Sequence, residues 1–155
     1  MLDVGSPAPD FSAPLDTGET FTLADWRGKK NVVLYFYPKD NTRGCTQEAC
    51  TFRDNYDEIG KYDAIIVGVS SDSVESHQGF REKHNLPFPL IADTDKRVSK
   101  LYDARGLFGF MTARVTYVID KDGVIRDAFR HEMAIGDHLR DVLAALEKMT
   151  SAAPS

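Results

Sequence analysis

Two runs constrain this fold more than anything else in the chain: Asn-Val-Val-Leu-Tyr-Phe-Tyr at 31–37 and Ala-Ile-Ile-Val-Gly-Val-Ser at 64–70. Each is short, β-branched or aromatic nearly throughout, and free of the polar alternation that marks a strand with one wet face. Both therefore read as strands buried on two sides, with cover above and below and at least one parallel neighbour. Helical patterns follow them at 43–56, 74–84, 95–102 and 136–149; the last carries Leu139, Val142, Leu143 and Leu146 at helical spacing, and Ser73 is placed to cap the second. Residues 5–9 hold two prolines and read as extended, and 20–23 and 90–92 as short strands. Residues 115–119 and 124–129 flank Asp120-Lys121-Asp122-Gly123 as a hairpin. The order predicts one α/β domain over 1–149, a central mixed sheet with helices on both faces, and a flexible tail at 150–155.

A net charge of −5 and the lack of a basic stripe argue against nucleic acid as a partner. No run approaches the ~20 apolar residues of a membrane helix. The start, Met1-Leu2-Asp3-Val4-Gly5, has neither the basic end nor the apolar core of a secretory signal, so no membrane association and a cytoplasmic location are expected. Thiols stay reduced there, and two nearby cysteines point to redox chemistry or metal binding rather than a structural staple.

Those cysteines lie in Pro38-Lys39-Asp40-Asn41-Thr42-Arg43-Gly44-Cys45-Thr46-Gln47-Glu48-Ala49-Cys50. Cys45 falls just past a central strand, in the first turn of the predicted helix. Free N–H groups and the positive end of the helix dipole favour a thiolate there. Thr42 is placed to cap that helix, its hydroxyl one turn before the sulfur. Five residues along a regular helix correspond to about 7.5 Å of rise and roughly 140° of rotation. That puts the Cys45 and Cys50 Cα atoms ~8–9 Å apart, beyond the ~7 Å that a disulfide spans. Spacing alone leaves Cys50 open between a buried small hydrophobe and a redox partner that requires local unwinding. It is a poor zinc pair. His77, His84, His131 and His138 share no metal-ligand spacing, and most are assigned to the surface. Gly28-Lys29-Lys30 lacks the pattern of a phosphate loop, and the apolar loop 106–110 either lines a pocket or packs.

Pro38-x-x-x-Thr42-x-x-Cys45 resembles the active-site signature of peroxiredoxins. Tyr35-Phe36-Tyr37 before it, Glu48-Ala49-Cys50 after it, Ala8-Pro9-Asp10-Phe11, Leu23-Ala24-Asp25-Trp26-Arg27-Gly28, Gly68-Val69-Ser70 and 114–120 extend the similarity to the bacterioferritin comigratory protein, or peroxiredoxin Q, branch. The resemblance implies a thioredoxin-like fold and a thiol peroxidase acting on H2O2 and alkyl hydroperoxides. It implies that Cys45 is the peroxidatic thiol, that Pro38 shields it, that Thr42 orients the peroxide and that Arg114 lies beside the sulfur. Taken alone, Arg114 would be a surface residue at a strand start and Glu48 a solvated helix position; within the family pattern Glu48 holds an arginine, and Gly44 belongs to the same motif. Arg43 replaces the usual proline and adds a cation two residues from the thiolate.

The resemblance further implies a sulfenic acid on Cys45, an intramolecular Cys45–Cys50 disulfide, reduction by thioredoxin or a similar dithiol, and a monomer that needs no cofactor. A thioredoxin-type carrier would require Cys-x-x-Cys, which is absent. A redox sensor using the same sulfur chemistry, or a binding domain with inert cysteines, is distinguished by turnover.

Overall fold

The structure, a computed structural model, describes residues 1–106, 112–130 and 135–152. A small antiparallel hairpin, β1 (Ser12–Pro14) and β2 (Thr20–Thr22), leads through a 3-10 turn at Leu23–Trp26 into the main sheet. That sheet contains β3 (Asn31–Phe36), β4 (Ala64–Ser70), β5 (Leu90–Ala92), β6 (Val115–Ile119) and β7 (Ile125–Arg130), ordered β5-β4-β3-β6-β7. β3 pairs in parallel with β4 and β4 with β5; β6 and β7 close the other side antiparallel. This is the mixed α/β sheet expected. The helices are α1 (Arg43–Asp54), α2 (Tyr56–Gly60), α3 (Val74–His84), α4 (Arg97–Leu101) and α5 (Ile135–Ala152).

Successive strand residues point to opposite faces, and β3 feeds two cores at once. Val32, Leu34 and Phe36 pack with Phe11, Phe21, Val98 and Tyr102, from the N-terminal arm, the hairpin and the α4 side. Val33, Tyr35 and Tyr37 pack with Phe52, Ile59, Phe80, Val142 and Leu146, from α1, α2, α3 and α5. Each β3 residue from Val32 to Phe36 is at most 1 % exposed, which is why no polar alternation appears in that stretch. Gly68 is required by packing: a Cβ there would lie 2.8 Å from Leu90 Cδ2 and 2.9 Å from Tyr35 Cζ.

Several boundaries depart from expectation. The expected 43–56 helix breaks at Asn55, with α2 starting beyond it. α4 starts late because Lys96 takes a left-handed conformation at its N-cap, φ 62°. α5 continues through Thr150 to Ala152, into the expected tail, and Thr150 Oγ1 donates back to the Leu146 carbonyl at 3.0 Å. Residues 107–110 of the apolar loop, His131 and 153–155 lie outside the described residues. Ser73 caps α3 as predicted, accepting from Ser76 N at 3.1 Å.

Candidate active site

Helix α1 starts where β3 ends. Its first intrahelical bond runs from Thr46 N to the Thr42 carbonyl, so the N–H groups of Arg43, Gly44 and Cys45 have no helical acceptor. Cys45 is the third residue of the helix and is 1 % exposed. No acidic residue occupies the first turn. The positive end of the helix dipole and the open N–H groups therefore lie at the turn that carries Cys45. α1 buries Cys45, Glu48, Ala49 and Phe52, a spacing that turns one helix stripe onto the sheet.

Arg114 arrives from the far side of the sheet. Val115 pairs with Phe36, so Arg114 stands level with the carboxyl end of β3 and the start of α1. The register between β6 and β3 brings it there, across a long sequence separation. Its Nη2 donates to Cys45 Sγ at 3.5 Å and its Nη1 to Glu48 Oε1 at 2.9 Å. Arg114 is 6 % exposed and Glu48 1 %. Burial works against the guanidinium charge, but Glu48 and Cys45 outweigh it and hold Arg114 above its ordinary value. Glu48 therefore aims the guanidinium, whose other nitrogen meets the sulfur.

Sequence reasoning missed two groups around this pair. His138 of α5 is 0 % exposed; its Nδ1 lies 2.9 Å from Thr116 Oγ1 and 3.6 Å from Glu48 Oε2. The hydroxyl of Tyr35 is buried, and burial together with Glu48 and Cys45 pushes it well above the ordinary tyrosine value. The surface assignment of the histidines is thus corrected. His77 is also fully buried and His84 partly so, because partners from distant elements receive them. His77, Asp40 and Asp72 converge as a group of metal-ligating residue types, but both ring nitrogens of His77, both carboxylate oxygens of Asp40 and Oδ2 of Asp72 are engaged in hydrogen bonds.

Thr42 sits at the N-cap position with an extended backbone, yet its side chain makes no capping bond. Its Oγ1 donates to the Lys39 carbonyl at 2.8 Å, which corrects the capping expectation. The hydroxyl instead ties the turn between Lys39 and α1. Pro38 is half-buried at the bend after β3, Gly44 is half-buried, and Arg43 is exposed at the first residue of α1, where water screens its charge.

Both cysteines are free thiols within α1. Cys50 is half-buried, its Sγ 3.9 Å from His84 Nδ1. Burial, then Lys83 and Arg53, lower the His84 value. The site thus combines a buried sulfur on a helix N-terminus, a guanidinium donor on it, a carboxylate holding the guanidinium, and a second thiol further along the same helix. Such a site can deliver a thiolate to an electrophile and stabilise charge developing on a departing oxygen.

The family model described as the AhpC/TSA family matches residues 4–128. The chain is 43 % identical over 155 residues to the peroxiredoxin Bcp of Bacillus subtilis, covering 96 % of this chain and 98 % of that protein. It is 40 % identical over 146 residues to the chloroplastic peroxiredoxin Q of Sedum lineare, covering 94 % of this chain and 78 % of the plant protein. Its fold is similar to the crystal structure of the peroxidoxin BcpB of Mycobacterium tuberculosis, with a TM-score of 0.89, 34 % identity and coverage of 96 % and 99 %.

Proposed function

Because this chain belongs to the AhpC/TSA family, as a peroxiredoxin of the Bcp and peroxiredoxin Q kind and hence a thiol-dependent peroxidase, we propose that Cys45 is its peroxide-reactive thiol and Cys50 the thiol that resolves it. The observation that carries this is the Arg114 guanidinium shared between Cys45 Sγ, 3.5 Å, and Glu48, 2.9 Å, at a helix N-terminus.

The Cys45 thiolate attacks one oxygen of the peroxide. An S–O bond forms, the O–O bond breaks, and the leaving oxygen departs as water or an alcohol after taking a proton, so that sulfur is oxidised and peroxide reduced. Arg114 is aimed to hold the thiolate and to meet the charge that develops on the oxygens, and the Thr42 hydroxyl, one turn away, orients the peroxide. Pro38 shields the sulfur at the bend. The Cys50 thiol then attacks the sulfenic sulfur, forming the disulfide and releasing water. A dithiol of thioredoxin type reduces that disulfide by exchange.

Resolution demands motion. In a continuous helix the two cysteines are ~8–9 Å apart, more than the ~7 Å a disulfide tolerates. The first turns of α1 therefore unwind in each cycle. A resolving thiol on the same helix requires no partner subunit, which supports a monomer. Among the described residues no helix is long and apolar enough to cross a membrane, and a reducing compartment such as the cytoplasm suits a dithiol-recycled enzyme.

The test is one equivalent of H2O2 added to the reduced protein, read as free thiols and intact mass beside Cys45→Ser and Cys50→Ser. Loss of both thiols with two hydrogens lost, abolished in Cys45→Ser, is expected. Cys50→Ser should stop at a sulfenic acid or a linked dimer. If Cys45 reacts while Cys50 stays reduced, an external thiol resolves the enzyme and the Cys50 assignment is wrong.

A further inference from the structure

Beside the loop that launches α1 lies a buried ionic cluster with no part in the mechanism above. Asp40, 4 % exposed, sits in the turn after β3, and His77, 0 % exposed, in the first half of α3. His77 Nδ1 lies 2.7 Å from Asp40 Oδ2 and His77 Nε2 lies 2.9 Å from the Ile91 carbonyl oxygen of β5. A carboxylate and a carbonyl can only accept, so each ring nitrogen must carry a hydrogen to bond. With Asp40 ionised, the ring that satisfies both is an imidazolium. The Tyr37 hydroxyl, 3.4 Å from Nδ1, directs its own hydrogen to Asp40 Oδ1 at 2.6 Å.

The other charged group facing this ring is Asp72, from the turn between β4 and α3. It is occupied in accepting from Ser70 Oγ at 2.6 Å and from Asp40 N at 2.8 Å. Ser76 Oγ donates to Asp40 Oδ2 at 2.9 Å. The His77 ring thus stands among two acidic side chains and a phenol. Burial opposes its charge, yet the Asp40 bond and charge more than offset this and raise the value above that of an ordinary histidine.

Asp40 in turn fixes the backbone that leads to Cys45. It is held through its own N–H and through three donors on its carboxylate. The next residue, Asn41, adopts a left-handed conformation, φ 65°, which the surrounding bonds must maintain. Thr42 follows, then α1. This cluster links β3, β4, α3 and β5 to the one turn that sets where the helix and its sulfur begin.

We propose that His77, held as a buried imidazolium between Asp40 and the Ile91 carbonyl, is a positioning residue for the loop 38–42, and that loss of its proton slows peroxide reduction by loosening that loop. The proposal rests on Cys45 being the peroxide-reactive thiol. A group whose folded value is raised contributes its full stabilisation below the ordinary value, near 6.5, and loses it as pH climbs through the folded value. The effect therefore appears on the alkaline side, where a simple thiol would only gain thiolate and react faster.

The test pairs two readouts on the reduced, full-length protein. Nitrogen-15 NMR of the His77 ring at pH 7 is expected to show both nitrogens protonated; a neutral tautomer would overturn the proposal. Single-turnover reduction of H2O2 from pH 6.5 to 9.5 is expected to fall about tenfold on the alkaline side, the scale of a small loss of alignment. His77→Gln, which cannot titrate, is expected to be slower at pH 7 and flat over that range. An alkaline fall that persists unchanged in folded His77→Gln would also overturn the proposal. A Cys45→Ser variant that still reacts sinks the thiol assignment instead, and the NMR result is unaffected by it.

Discussion

Replacing Arg114 by methionine removes the guanidinium while keeping much of its packing, and the structure sets the scale of the loss. A unit charge 3.5 Å from the sulfur attracts a thiolate by about 5 kcal/mol at an effective dielectric constant of ~20. Glu48, on the same guanidinium at 2.9 Å, offsets part of that, and a hydrogen bond to a charged group contributes about 1.5–3 kcal/mol net. Taking about 2–3 kcal/mol as the part felt in the transition state gives a fall of roughly 30- to 150-fold in the second-order rate constant for H2O2. The substitution also strands Glu48 without its guanidinium, and breaking a buried pair costs about 3–5 kcal/mol of stability. Arg114→Met with Glu48→Gln removes that stranded charge, so the double variant should be more stable than the single one and should recover part of its rate. Rapid-mixing peroxide consumption and thermal melts measure both. A folded Arg114→Met that reacts within threefold of the parent would refute the assigned role of the guanidinium.

Gly68→Ala places a methyl against Leu90 and Tyr35; it should cost about 1–3 kcal/mol, seen as a lower Tm and denaturant midpoint. Oxidation to the disulfide should raise hydrogen exchange across 44–52 while 31–36 in β3 stays protected, and equal protection of α1 in both redox states would contradict the unwinding step. Thr42→Val removes the bond to the Lys39 carbonyl but no helix cap. Stability should fall by only about 0.5–1.5 kcal/mol, whereas peroxide reduction should fall by more than that loss explains. Thr42→Ser, which keeps the hydroxyl, should restore most of the rate.

What the sequence made legible follows from how local the cause was. β3 and β4 were readable because burial on both faces leaves an unbroken apolar run, and Cys45 because a thiol at a strand-to-helix junction has local electrostatic consequences. Of the β1–β2 hairpin only β2 was readable, as the short strand at 20–23; in β1 three residues are too few to show a period, and Pro14 argues against a strand. Nothing local marks the break at Asn55, which carries neither proline nor glycine. His77 and His138 looked like surface residues because the groups that bury them, Asp40, Ile91, Thr116 and Glu48, come from other elements. Arg114 illustrates the same limit. Its place beside the sulfur is a matter of the register between β6 and β3, and only the family resemblance pointed to it from sequence. The Thr42 hydroxyl was assigned to the right turn but the wrong partner, because Lys39 offers a carbonyl that a side chain in this turn reaches first.

The proposed function requires the fold to make Cys45 a far better nucleophile toward peroxide than an unassisted thiol. It is tested most directly by competition: reduced protein, in the Cys50→Ser form so that only Cys45 can react, set against free cysteine for a limiting amount of H2O2, with the product on each quantified by mass. Aligned donors each contribute on the order of 10²–10³ in rate, so Cys45 should take nearly all the oxidant even against a large excess of free cysteine. Oxidant shared in proportion to thiol concentration would mean that the Arg114–Glu48 arrangement does not activate the sulfur, and the account of this site would be wrong.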